Sequence, residues 1–138
     1  MSKSKPPAEC LAILICESVV EDARSHNKCI LNTFNSIQTL GPSARQDRLT
    51  VFLSLTSGRG ELPLELHFGP ENAEPVVNLT GKVKFATPLD VIDLVFDMRN
   101  VPLPKLGTYV LTASIDGMTV GMRKIRVLAP PESGGQAK

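Results

Sequence analysis

Apolar and polar residues alternate along most of this chain with a period of two. Leu62, Leu64, Leu66 and Phe68 alternate with Pro63, Glu65 and His67, and Tyr109, Leu111, Ala113 and Ile115 alternate with Thr108, Thr112, Ser114 and Asp116. Successive side chains of a strand point to opposite faces, so each run predicts a half-buried strand. Leu49, Val51, Leu53 and Leu55 form another apolar face against Thr50, Ser54 and Thr56. Val77, Leu79, Val83 and Phe85 face away from Asn78, Thr80, Lys82 and Lys84, with Gly81 on the inner side, where a missing side chain predicts a bulge or a close neighbour. Ile92, Leu94, Phe96 and Met98 alternate with Asp93, Val95 and Asp97. Asp90, Asp93 and Asp97 also fit helical spacing, but β-branched content favours a strand. Two runs change parity, Ile30–Leu40 around Asn35 and Met118–Leu128 near Arg123, and each predicts a bulge or break. Residues 17–26 are the one stretch compatible with a short helix.

Turn signals punctuate these runs: Leu40-Gly41-Pro42, Ser57-Gly58-Arg59-Gly60, Gly69-Pro70-Glu71-Asn72, Pro102-Leu103-Pro104 and Asp116-Gly117. The last, between two alternating runs, is the strongest short-range hairpin signature. Pro63 cannot donate to a ladder, so its strand is an edge or begins there. Lys82 and Lys84 suit a blunted or solvated sheet surface. The expected fold is all-β, an antiparallel β-sandwich of immunoglobulin-like architecture with about eight strands. One domain spans 9–128, between tails at 1–8 and 129–138 whose Pro, Gly, Ser and Lys content predicts disorder.

Charge and composition then narrow the function. The chain has 138 residues, 15 basic and 14 acidic, so no broad positive field exists to gather phosphates. With no Trp, one Tyr and five Phe, platforms for stacking bases or sugars are scarce. No nucleic-acid partner is expected. Phe34, Phe68, Phe85 and Phe96 fall on inward faces, while Phe52 projects among Thr50, Ser54 and Thr56. Either a terminal segment covers Phe52 or it anchors a protein contact. Leu11 to Ile15 is apolar on both faces, as in a strand covered on both sides or one that meets a partner chain.

Cys10, Cys16 and Cys29 are odd in number and spaced by six and thirteen, unlike zinc ligands, and read as buried reduced thiols of a cytoplasmic protein. No stretch approaches the roughly 18 apolar residues of a membrane span, and no membrane partner is expected. The start mimics a secretory leader, with Lys3 and Lys5 before Cys10–Cys16, but Glu9 interrupts it and the apolar run is short.

No nucleophile elbow, phosphate-cradling glycine loop or H-E-x-x-H motif is present. Ser25–Lys28 and Ser2–Lys5 match S-x-x-K without companion motifs, and nothing in the spacing pairs Cys29 with His26 or His67. Glu17, Glu21, Asp22 and His26 read as a solvated face rather than a metal site, and no cofactor is expected. In a strand, Asp93 and Asp97 stand about 13 Å apart, too far to share one ion. The loop at 57–61 offers Arg59, whose guanidinium suits bidentate capture of a carboxylate or phosphate, although an exposed arginine on a long hairpin turn is the simpler account and the favoured one.

The segments AILICESVVED, LTVFLSLTSGRGE and FATPLDVIDLVFDMRNVPLPKLGTYVLTASIDG, followed by a closing strand, together resemble a bacterial family of short, uncharacterised all-β proteins, a domain of unknown function. The resemblance spans about residues 10–128, most specifically at the proline-flanked lead into LGTYVLTASIDG. It implies a β-sandwich and carries no functional residues. The expected function is therefore non-catalytic protein binding, to a partner or to a second copy, through Leu11, Ile13, Ile15, Phe52 and Arg59. A structural subunit of a larger assembly ranks second. A ligand-binding or enzymatic site assembled from Arg59, His67 and His26 ranks third.

Overall fold

The computed structural model describes residues 6–39 and 44–129. Strands β1 (Glu9–Glu21), β2 (Lys28–Thr33), β3 (Ser36–Gln38), β4 (Arg45–Thr56), β5 (Gly60–Pro70), β6 (Val77–Phe85), β7 (Val91–Pro102), β8 (Gly107–Ile115) and β9 (Met118–Leu128) follow in order, and no helix occurs among the described residues. They form a four-stranded sheet, β2-β1-β4-β7, and a five-stranded sheet, β3-β9-β8-β5-β6, the latter curled into a half-barrel.

Leu49, Val51, Leu53 and Leu55 of β4 pack with Leu64, Leu66 and Phe68 of β5 and with Tyr109, Leu111 and Ile115 of β8 in one core. Alternation places each group on one face, so burying that face defines the register. Phe68 and Phe85 belong to the core, and Phe34 and Phe96 pack against it. Ala8, assigned by sequence to the tail, is also buried there. The rest of both tails, and the turn at Leu40-Gly41-Pro42, lie outside the described residues save for Pro6, Pro7 and Ala129.

Several expectations are corrected. Residues 17–26 are not helical: β1 continues to Glu21 and pairs with β2 across the turn at 22–27. The adjacent β-branched residues Val19 and Val20 suit a strand, and a neighbouring strand supplies the hydrogen bonds a short helix would have had to make alone. The turn at 57–60 is not a hairpin but a corner, because β4 and β5 lie in different sheets. Buried Gly58 is required there, since a Cβ would stand 2.3 Å from Phe85 ring carbons. Gly81 marks neither a bulge nor a close neighbour; it pairs in register with Leu64 and a Cβ would meet open space. The irregularity of β9 lies at Val120, where the register with β8 shifts between Ala113 and Ser114, rather than near Arg123.

Pro63 sits in a strand flanked on both sides, but pairing with β8 begins only at Leu64, and the Pro63 carbonyl accepts the Asp116 amide at 2.9 Å. Its missing N–H therefore falls where the ladder ends. The run around Asn35 is a break: β2 belongs to one sheet and β3 to the other. There β3 pairs with β9 in parallel, the one departure from antiparallel pairing among the described strands, with the Asn35 carbonyl accepting from Arg126 at 3.0 Å and Thr39 donating to Leu128 at 2.9 Å. Asp116 and Gly117 both adopt positive φ, 51° and 82°, as a two-residue hairpin turn between β8 and β9 requires.

Candidate interaction surface

Inward residues of the four-stranded sheet leave the alternate set facing away from the core. Across one row of that outer face, Leu14 of β1 pairs with Phe52 of β4, which pairs with Val95 of β7. Toward one end, Ala12, Ser54 and Asp93 form the next row; toward the other, Cys16, Thr50 and Asp97 do. Leu31 of β2, opposite Ser18, and Val20 of β1, opposite Cys29, extend the apolar face to the far edge by register. Leu11, Val20, Leu31, Val91 and Val95 are all solvent-exposed.

A bulge explains Leu11. The β1–β4 register shifts between Cys10 and Ala12, so Leu11 is the unpaired extra residue and stays 56% exposed. Ile13 and Ile15, expected on the interaction surface, are instead buried in the core, because after the bulge they take the inward parity. Phe52 is only 8% exposed yet outside the core cluster. Its ring lies on the outer side, with Leu14 and Val95 as cross-strand neighbours.

Polar groups on this face are tied down beside the apolar row. Ser54 Oγ donates to Asp93 Oδ1 at 2.7 Å. Thr50 Oγ1 donates to the Glu17 carbonyl at 3.0 Å, and also lies within hydrogen-bond reach of Asp97 Oδ1. Arg99 and Arg48 both donate to Asp97, and these guanidiniums, Arg99 foremost, hold its carboxyl below the usual aspartate range. The buried Cys16 thiol is pushed up by desolvation, as is the half-buried Cys10 thiol. Cys29, expected to be buried, is exposed on β2.

The other singled-out residues are dispersed. Arg59 lies at the β4–β5 corner beside a recess of about 710 Å³ lined by Pro6, Pro7, Glu9, Ser57, Leu62 and Pro88. His67 lies on β5 beside a smaller recess of about 190 Å³ that includes Gly69, Pro70 and Val110. It bonds to Asn78 and Glu65, which raise its pKa, Asn78 more strongly. His26 occupies the β1–β2 turn and meets Glu21 at 2.8 Å, while Asp22 accepts the Arg24 and Ser25 amides of the same turn. Arg59, His67 and His26 are thus not brought together, and neither are Glu17, Glu21, Asp22 and His26 as a ligand set: among the described residues no group of three or more such side chains is placed to hold a metal. Asp90 accepts the Ala86 and Thr87 amides, closing the turn before β7. No helix among the described residues is long and apolar enough to cross a membrane.

Sequence reasoning singled out Phe52 and Leu11 but missed Val20, Leu31, Val91 and Val95. The available signal was Val91 and Val95 sharing the polar parity of β7 with Asp93 and Asp97.

Two sheets packed around one core, with an outer face bearing an apolar row, define an all-β protein without an assigned chemistry. The chain belongs to the family of unknown function DUF6941, which it matches over residues 11–128. No curated protein matches the sequence. Among solved structures, it is similar to the Pseudomonas fluorescens alkylpurine DNA glycosylase AlkC bound to DNA containing an abasic site analog, at 6% identity and a TM-score of 0.52 over 90% of this chain and 31% of that one. A Kluyveromyces marxianus β-glucosidase is less similar, with a TM-score of 0.43 and 10% identity over 69% of this chain and 15% of that one. This chain spans under a third of either protein, and the first likeness is one of fold alone.

Proposed function

We propose that this is a non-catalytic, immunoglobulin-like module of a reducing compartment that works by binding another protein through the outer face of its four-stranded sheet. The immunoglobulin-like reading is supported by strand order. β1, β4 and β7 follow the order A-B-E, while β9, β8 and β5 follow G-F-C. It is supported too by Tyr109 near the start of β8, whose Oη donates to the Lys105 carbonyl at 2.7 Å and accepts its amide at 3.1 Å, as in a tyrosine corner.

The observation that carries the binding reading is the apolar row Leu14, Phe52 and Val95 across β1, β4 and β7, with exposed Leu31 of β2 two rows along, opposite Ser18, and exposed Leu11 and Val91 on the same sheet. Contiguous apolar surface on a sheet is energetically unfavourable in water and marks a contact site. A photo-crosslinking residue at Leu31 should capture a protein partner, and the same residue at Met122, outward on β9, should not. Equal labelling at both positions, or none at Leu31, overturns the reading. A structural subunit of a larger assembly is the second reading, favoured by the bare edge of β7.

A further inference from the structure

A sheet edge presents unpaired amides and carbonyls, and proteins normally blunt it with short strands, lysines, prolines or kinks. Among the described strands, three of the four edges are blunted. β3 has three residues. β6 carries Lys82 and Lys84, and β2 carries Lys28 with a positive φ of 57° at Asn32. β7 has 12 residues, no lysine or glycine, and a proline only at its last position; its one positive φ, 55° at Asn100, falls near its end and leaves the run Val91–Arg99 unbroken. Among the described residues it pairs with β4 alone. Its inward Ile92, Leu94 and Phe96 stay half-buried, whereas Val51, Leu53 and Leu55 opposite them on β4 are fully buried. In a constant-type immunoglobulin sheet, strand D would cover this edge.

We propose that β7 pairs antiparallel with β7 of a second copy, joining two four-stranded sheets into one of eight strands. The sequence of β7 selects the register. A two-fold axis normal to the sheet keeps both outer faces on one side, so each residue must meet one of its own parity. The central registers are therefore centred on Leu94, Val95, Phe96 or Asp97. Centring on Val95 sets Asp93 against the partner's Asp97 at both ends, and centring on Asp97 sets that carboxylate against its own copy. Centring on Leu94 pairs no charges, leaving Asp93 opposite the partner's Val95. Centring on Phe96 also leaves a carboxylate, Asp97, opposite the partner's Val95, but it alone sets Asp93 opposite the partner's Arg99 at both ends, with Leu94 opposite the partner's Met98 and Phe96 opposite itself.

Both members of the favoured pair have capacity for it. Asp93 engages Ser54 through Oδ1 only, and Arg99 uses Nε and Nη2 on Asp97, leaving Nη1. Opposite charges across a ladder stabilise it and like charges oppose it, so this register is favoured over its neighbours. The half-buried row on β7 gains cover in the same step.

The inference rests on protein binding as the mode of action but uses an edge rather than the outer face. The test is solution mass of the full chain across concentration, with circular dichroism confirming the fold of each variant. The unaltered chain should be a dimer. Asp93→Arg and Arg99→Asp should each weaken dimerisation at least tenfold, and the double variant, which exchanges the charges, should return to within about threefold of the original. A chain monomeric at every concentration, a dimer indifferent to either single reversal, or a double variant no tighter than the singles overturns the proposal. Leu31→Arg, on the opposite edge, should leave the dimer intact while abolishing capture of a partner by a photo-crosslinking residue at Val20 of the same outer face, so the two readings fail separately.

Discussion

On the five-stranded sheet, the outward residues of β5, β8 and β9 include Glu65, His67, Thr112, Ser114, Lys124 and Arg126; on the four-stranded sheet, Leu14, Phe52, Val95, Val20 and Leu31 hold the corresponding outward positions. Both sheets bury one side in the same core, so neither surface is dictated by folding. The five-stranded sheet has Val110 and Met122 as scattered exceptions, whereas the four-stranded sheet aligns its exceptions across neighbouring strands. Isolated apolar residues on a surface need no explanation, while an aligned row does.

The comparison breaks most readily at β4, where adjacent residues face opposite ways. Leu53→Ala, in the core, should destabilise the fold by about 2–5 kcal/mol in denaturant unfolding. Phe52→Thr should cost about 1–2 kcal/mol, because its ring packs within its own sheet with no opposing layer and threonine suits a strand. Equal losses would make Phe52 a folding residue and remove the contrast between faces.

At the corner joining the two sheets, Gly58→Ala should cost about 1–3 kcal/mol, since the Phe85 ring must move. Gly81→Ala, with open space around its Cβ, should be neutral or slightly stabilising by the same denaturant unfolding. Exchanging surface character is gentler. Leu11→Gln with Leu31→Gln should shift stability by under about 0.5 kcal/mol, as expected of exposed positions, yet reduce binding of a hydrophobic dye to the four-stranded sheet.

The smallest effects are electrostatic and opposite in sign. His67 has a raised folded pKa, so its stabilising contribution is complete below the ordinary histidine range and is lost as pH rises through the raised value. Asp97 has a lowered folded pKa, so its contribution is complete above the ordinary aspartate range and is lost as pH falls through the lowered value. Titration followed by NMR should show Asn78→Ala moving His67 downward and Arg99→Gln moving Asp97 upward. A shift at either site in the reverse direction would remove the corresponding hydrogen bond from the account.

The strands themselves were legible because alternation is a local signal that the core enforces. Four inward phenylalanines and the Asp116-Gly117 hairpin follow from the same logic. What stayed hidden depends on partners distant in sequence. Nothing in Ser57-Gly58-Arg59-Gly60 says whether the next strand returns beside β4 or crosses to the other sheet. The bulge at Leu11 hides within a continuous apolar run, where parity leaves no trace, so Leu11, Ile13 and Ile15 looked alike although one is exposed and two are buried. Cys29 looked buried because an apolar residue follows it, but it takes the outward parity of an edge strand. For the candidate surface, Phe52 stood out against polar neighbours, whereas the row it belongs to emerges only when β1, β4 and β7 are placed side by side.

The short parallel pairing of β3 with β9 has a mechanical consequence. If the chain is pulled from the segment before Ser36 and from the segment after Leu128, the two strands are drawn past each other along their length. Their hydrogen bonds then carry the load together, whereas a hairpin pulled from its open end releases its bonds one by one. Three residues of β3 are enough to turn that tension into shear, making this junction a clasp that holds the last strand in place under force.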